Sequence, residues 1–238
     1  MKTIHIFLLL LFIPFISFGQ INQSIDFIGG LDYSYRNLSG GSDNPLESNL
    51  IENLANEEHG KLNWRFGTNY NKRLNKKVFL KTGFRIAREG FKARTDISRR
   101  LGRKITDDMI FPEGFHKEIY GYNFWFLEFP IAARFEINKK KLSPFFELGL
   151  APSYYVFSQT RFSTEFGNKS HYFRENNSDF NAFHLLAFAS FGYNYSLNEN
   201  LQLFGQTVFR YHLTSSRAGP VKERLFTAGL ELGVRKNL

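Results

Sequence analysis

The sequence predicts an all-β fold, an eight-stranded antiparallel up-and-down transmembrane β-barrel with four long extracellular loops and short periplasmic turns. Three observations carry this: apolar and polar residues alternate at period two, long and short connections take turns along the chain, and a leader for export precedes them. The last segment shows the alternation well. Phe226, Ala228, Leu230, Leu232 and Val234 share one face, and Thr227, Gly229, Glu231, Gly233 and Arg235 share the other. One face suits lipid and the other a wet, charged interior.

At the N-terminus, Lys2, an apolar run from Ile4 to Ile16 and then Ser17-Phe18-Gly19 match the n-region, h-region and cleavage site of a secretory signal peptide. Residues 1–19 are therefore read as the signal peptide and 20–238 as one barrel domain, with no Pro/Ser linker or low-complexity tract to divide it. No later stretch reaches the roughly 18 apolar residues that a membrane helix needs, so any crossing is made by strands. The absence of cysteine removes a disulfide framework, a thiolate metal site and the lipid-bearing cysteine of a lipoprotein. Aromatic residues make up 17% of the chain while the mean hydropathy is only -0.32, an average that alternation produces.

The first strand is expected at about 24–36, with Ile25, Phe27, Leu31, Tyr33 and Tyr35 outward and Asp26, Asp32, Ser34 and Arg36 inward. After a long loop to about Glu58, the second carries Leu62, Trp64, Phe66 and Tyr70 outward against Asn63, Arg65, Asn69 and Asn71. The turn Leu74-Asn75-Lys76-Lys77 leads directly into the third, with Val78, Leu80, Phe84 and Ile86 outward. A second long loop, about 93–118, precedes the fourth strand, where Trp125, Leu127, Phe129, Ile131, Ala133 and Phe135 alternate with Phe126, Glu128, Pro130, Ala132, Arg134 and Glu136. Asn138 to Leu142 is the next short turn.

The fifth strand places Phe146, Leu148, Leu150 and Tyr154 outward and Glu147, Gly149, Ala151 and Ser153 inward, and a third long loop is expected from near Ser158. The sixth, about 180–195, does not fix its own register: with Phe183, Leu185, Ala187, Ala189, Phe191 and Tyr193 toward lipid, Leu186 and Phe188 point inward. After the turn Ser196 to Asn200, the seventh sets Leu201, Leu203, Thr207, Phe209, Tyr211 and Leu213 against Gln202, Gln206, Arg210 and His212. With both termini periplasmic, eight strands put every long connection outside and every short one inside. Tyr33, Tyr35, Trp64, Tyr122, Trp125, Tyr154 and Tyr211 fall toward the long-loop ends, and Tyr70, Phe135 and Tyr193 toward the short-turn ends, as two interfacial girdles require. A soluble β-sandwich does not sort aromatics this way; a lipocalin-like barrel, apolar inside, is the competing reading, with aromatic strand ends and long one-sided loops unusual for it.

The segment Phe126-Leu-Glu-Phe-Pro-Ile-Ala-Ala-Arg-Phe, a Lys-rich turn, and Ser143-Pro-Phe-Phe-Glu-Leu-Gly-Leu-Ala-Pro together resemble the central hairpin of the Bacteroidota-type outer-membrane β-barrel family, to which PorT-like proteins belong. Val78-Phe-Leu-Lys-Thr-Gly-Phe, Gly229-Leu-Glu-Leu-Gly-Val-Arg and a leader ending in Phe18-Gly19-Gln20 fit the same resemblance. It implies location in the outer membrane and allows a role in surface assembly or protein secretion. These are motifs of fold, and they designate no catalytic residue.

By alternation the interior collects Asp26, Asp32, Glu128, Glu136, Glu147 and Glu231 with Arg36, Arg65, Lys81, Arg85, Arg134, Arg210 and Arg235. Eight strands enclose a space just wide enough for side chains to fill, so a salt-bridged plug is expected, with Glu128 and Glu147 as partners for Arg65, Arg85 and Arg134. Lumen positions such as Glu147 are expected to tolerate substitution better than lipid-facing Leu148. His212 and Thr214, two apart, evoke the His plus hydroxyl pair of a lipid-modifying outer-membrane enzyme, but no acid stands at a diagnostic spacing. The expectation is a non-enzymatic, monomeric protein without cofactor or metal site.

The first loop, with Asn44-Pro45 ahead of Leu46, Leu50, Ile51 and Leu54, suggests a short capped amphipathic helix. The second carries Lys92, Arg94, Arg99, Arg100, Arg103 and Lys104. A net charge of +9 would ordinarily point to nucleic acid, but an exported barrel meets outer-membrane lipid and lipopolysaccharide phosphates instead. A merely solvated charge run is the plainer reading of that loop.

Overall fold

The computed structural model describes residues 23–40, 57–95, 118–137, 141–164, 167–173, 181–216 and 222–238, without the side chains of 94–95, 118–119, 162–164 and 167–173. The expected signal peptide, the helix expected at 46–54 and the basic stretch 99–104 lie outside these residues. The strands are β1 (Gln23–Ser39), β2 (Glu58–Arg73), β3 (Val78–Thr95), β4 (Glu118–Glu128), β5 (Ile131–Glu136), β6 (Leu142–Thr164), β7 (Gly167–Phe173), β8 (Phe183–Ser196), β9 (Leu201–His212) and β10 (Lys222–Asn237). All pairings are antiparallel, and β1 pairs with both β2 and β10, which closes the ring.

Ten strands make eight staves. β4 and β5 are the two halves of the expected fourth strand: both pair with β3 and with β6. Pro130 interrupts it because proline brings no N–H to the ladder. The gap is bridged by Gly83 N–H donating to the Pro130 carbonyl (3.1 Å) and Phe129 N–H donating to the Pro152 carbonyl (2.9 Å).

β7 is no stave. It pairs with β6 beyond Ser158, where a loop was expected, so the third long connection opens as a β-hairpin that continues the wall past the barrel. Alternation there is polar on both sides, which is why the pattern looked like loop.

The short turns end the staves sharply. Leu74-Asn75-Lys76-Lys77-Val78 and Leu197-Asn198-Glu199-Asn200-Leu201 use one device: the Asn75 carboxamide oxygen accepts from the amides of Lys77 and Val78 (both 2.9 Å), and that of Asn198 from Asn200 (3.0 Å) and Leu201 (2.8 Å). Such Asx turns reverse the chain locally without help from the rest of the fold. The start of β1 and the C-terminal residues lie beside them, with Leu238 N–H donating to the Gln23 carbonyl (2.9 Å) and Asn237 N–H to that of Asn200 (2.8 Å). The long connections all leave from the opposite rim. A protease added to intact cells is therefore expected to cut within 96–117 and to spare the turns at Asn75 and Asn198; cleavage at those turns in sealed cells would reverse the orientation.

Alternation holds around the wall. Phe27, Leu31, Leu62, Phe66, Leu148, Phe209, Leu230 and Leu232 stand exposed outside, while Asp32, Arg65, Lys81, Glu147 and Glu231 are buried inside. In β8 the register is settled, with His184, Leu186, Phe188, Ser190 and Asn194 facing the lumen. The interior is thus less uniformly polar than alternation of type suggests. Ala87, Phe91, Phe124, Phe126 and Leu225 form one apolar cluster, Ala132, Ala151, Leu186, Phe188 and Val208 a second, and Ile28, Phe145 and Phe204 a third.

Glycines make room for these rings: a Cβ on Gly149 would stand 2.6 Å from the Phe188 Cζ, and one on Gly192 2.8 Å from the Phe145 Cζ. Gly90, at φ 154°, lies beside the irregularity between Gly60 and Trp64, where three residues of β2 oppose two of β3. Ser34 repairs the ladder there, its Oγ accepting from the Gly90 amide (3.0 Å).

Candidate functional site

Because every second residue of each stave points inward, eight staves deliver their acids and bases into one narrow column. The central group is built on Arg65 of β2. Its guanidinium donates to Glu128 through Nε (3.0 Å) and Nη2 (2.9 Å), to Glu89 through Nη2 (2.5 Å), and to Asp32 through Nη1. Arg210 of β9 donates to Asp32 (2.9 Å) and to Glu231, and Arg85 of β3 reaches Glu231 at 3.7 Å. His212 Nε2 lies 2.8 Å from Glu89. Four carboxylates from β1, β3, β4 and β10 thus meet three guanidiniums and one imidazole.

Two further groups lie above and below. Toward the short turns, Glu147 holds Lys81 (3.0 Å) and Arg134 (3.1 Å), while Arg235 binds Asp26 (2.7 Å) and Glu136 (3.0 Å). The Arg134 guanidinium also lies 3.5 Å from the centroid of the Phe145 ring, so it is covered by a π face where no carboxylate covers it. Toward the long loops, Arg36 joins Glu58 and Glu223 and sits 4.0 Å over Phe91. Charge-assisted, bidentate bonds of this kind are stronger than neutral ones. They offset desolvation that would otherwise make buried ions prohibitive.

The seven lumen residues anticipated from sequence, Arg65, Arg85, Glu128, Arg134, Glu147, Arg210 and Glu231, are all buried inside. Their ion pairs fall into two groups, which Ser190 and Gln206 link by hydrogen bonds between Glu147 and Glu231. Arg134 and Glu147 form the lower group with Lys81, and the other five form the central one. Arg85 finds Glu231 within ion-pair distance rather than Glu128 or Glu147. Glu89 went unremarked although it continues the inward series Lys81, Gly83, Arg85, Ala87. It is the acid beside His212 that spacing along the chain did not supply. Thr214 is not brought to His212 by any hydrogen bond; its Oγ1 accepts from the Leu185 amide (3.1 Å).

A closed ring of antiparallel staves with an apolar outer wall and paired charges inside is the form in which a sheet can cross a bilayer, since every edge is satisfied. The family model of the outer membrane protein β-barrel domain matches residues 19–217. The chain belongs to the outer membrane protein β-barrel domain family. Its place is accordingly the outer membrane.

Among solved structures this outer-membrane barrel is similar to the Neisserial surface protein A, at 11% identity over 90% of this chain and 96% of that one, with a TM-score of 0.46. OprG from Pseudomonas aeruginosa gives 9% identity over 91% and 96%, with a TM-score of 0.45. Ail, the attachment invasion locus protein of Yersinia pestis, gives 15% identity over 90% and 98%, with a TM-score of 0.36. No curated protein matches the chain.

Proposed function

We propose that this outer-membrane barrel is a non-conducting, non-enzymatic, monomeric anchor that acts through its extracellular side in surface assembly or protein secretion. The observation that carries the reading is the cross-linking of the lumen. Arg85 of β3 reaches Glu231 of β10, and His212 of β9 reaches Glu89 of β3, so side chains join staves that are not neighbours in the wall. With apolar clusters beside these charge groups, a continuous water path has no room. What is left to act is the outer rim, where the β6–β7 hairpin projects and the long connections gather.

The resemblance to PorT-like proteins supports the secretion role, and deletion of the gene is expected to leave exported surface proteins in the periplasm. Unchanged surface display in the deletion strain would refute that role. Lipopolysaccharide is the expected lipid partner, met by Arg99, Arg100, Arg103 and Lys104; nucleic acid is not a partner. The non-enzymatic reading is supported by Thr214, whose Oγ1 accepts from the Leu185 amide and makes no hydrogen bond to His212, although Glu89 gives His212 an acid partner. A lipid product formed by the purified protein and lost in His212→Ala would overturn it. In planar bilayers the protein is expected to give no steady conductance, and a reproducible open level would contradict the filled lumen.

A further inference from the structure

The outer wall near the long-loop rim carries cations that the lumen does not use. Trp64, Arg88, Trp125 and Phe157 form one row across β2, β3, β4 and β6, and Lys92, Gly121 and Arg161 form a parallel row nearer the rim. Alternation sets both rows outward, because Glu89, Phe91 and Phe124 between them face the lumen. Lys61, displaced by the irregularity in β2, sends its ammonium across β3 to donate to Asn123 Oδ1. It can cross because the residue of β3 paired with Asn123 is Gly90, which has no side chain.

Gly121 leaves an opening: a Cβ there would stand 4.0 Å from Lys61 Nζ and 3.9 Å from Arg161 Cβ. The charges of Arg88, Lys92 and Arg161 all act on Lys61. Among the described residues, the ion pairs are lumen pairs and none includes any of these four cations. Below them Arg88 lies 5.6 Å from the Trp64 ring, Trp64 meets Trp125 edge to face at 5.0 Å, and Phe157 stacks on Trp125 at 5.1 Å.

Four unneutralised cations around the opening at Gly121, beside Asn123, on the membrane side of the wall and directly above an indole belt, match an anion carried by an amphiphile. We propose that Lys61, Arg88, Lys92 and Arg161 hold the phosphate of a phosphorylated glycolipid of the outer leaflet, whose acyl chains lie along Trp64, Trp125 and Phe157. The site deepens the lipid contact proposed above and rests on it, but it is on the barrel wall instead of in the second loop. The phosphate lies in the opening left by Gly121, and the guanidiniums of Arg88 and Arg161 take its oxygens as paired acceptors.

The test counts bound lipid by native mass spectrometry on the full barrel, with diphosphorylated lipid A, its phosphate-free form and inorganic phosphate as probes. The wall variant is Arg88→Gln/Lys92→Gln/Arg161→Gln, and the loop variant is Arg99→Gln/Arg100→Gln/Arg103→Gln/Lys104→Gln. Each cation near an anionic surface contributes about fivefold in affinity, so the wall variant should weaken diphosphorylated lipid A by about a hundredfold. The phosphate-free form should bind parent and wall variant alike, and inorganic phosphate should not compete. Heat-modifiable migration reports folding, and Lys92→Gln alone, at an exposed position, provides a second measure with about a fivefold loss. Unchanged binding by the wall variants with loss in the loop variant would overturn this site and keep the loop contact. Indifference of the parent to lipid phosphate would overturn both.

Discussion

Arg65→Leu should prevent the chain from reaching its heat-modifiable folded form in lipid vesicles. Arg65 holds three carboxylates, and of these Asp32 keeps Arg210 and Glu89 keeps His212. Glu128 is left with no ion-pair partner in a site with almost no solvent. Removing one member of a buried pair costs about 3–5 kcal/mol, because the other charge stays buried without compensation. The double variant Arg65→Leu/Glu128→Leu removes that stranded charge and should recover much of the loss. If the double variant were no better than the single one, the penalty would come from packing and the electrostatic account of the central group would fail.

The second large effect lies on the other face of the wall. Leu148 pairs with Ala133 and Ala189 in the middle of its stave and is about half exposed to lipid. An arginine there costs about 2–4 kcal/mol near the bilayer midplane, so Leu148→Arg should shift the urea midpoint of folding strongly downward. A control inside the lumen has to avoid the charge groups. Glu147 looked tolerant as a lumen position, but it holds both Lys81 and Arg134 at full burial, and Glu147→Gln should itself destabilise the barrel substantially. Ser153 serves better: its buried hydroxyl makes no hydrogen bond, so Ser153→Ala should leave folding unchanged. Parent-like folding of Leu148→Arg would invalidate the assignment of faces.

Much of this was legible because a strand's period of two depends only on the backbone. Asp26, Asp32, Arg65, Lys81 and Arg235 could be sent inward without knowing any neighbour. Partners were not legible, since a partner requires the register between staves: Arg85 meets Glu231 only because β1 stands between β2 and β10. Some interior rings were hidden for a different reason. Phe145 and Phe204 break the polar series, and an apolar residue on either face satisfies composition; Phe188 could be sent inward only with its register left open, and the neighbouring glycines that seat these rings are known only once the staves are paired. The outer cation cluster was missed because it depends on the local irregularity in β2 and on Gly90 and Gly121, which look in sequence like ordinary turn or loop glycines.

The pairing of β1 with β10 also fixes an order in time. Asp26 and Arg235 are 209 residues apart, and theirs, with Arg36 and Glu223, is an ion pair that joins the first stave to the last. Until β10 has been made and delivered, β1 presents a bare row of amides and carbonyls, the kind of edge that recruits any passing strand. Closing so long a loop is slow, because its entropy must be lost before any contact compensates for it. The open edge must therefore be shielded through the whole passage to the membrane, and the ion pair at Asp26 and Arg235 is a latch that can engage only after the rest of the wall is in place.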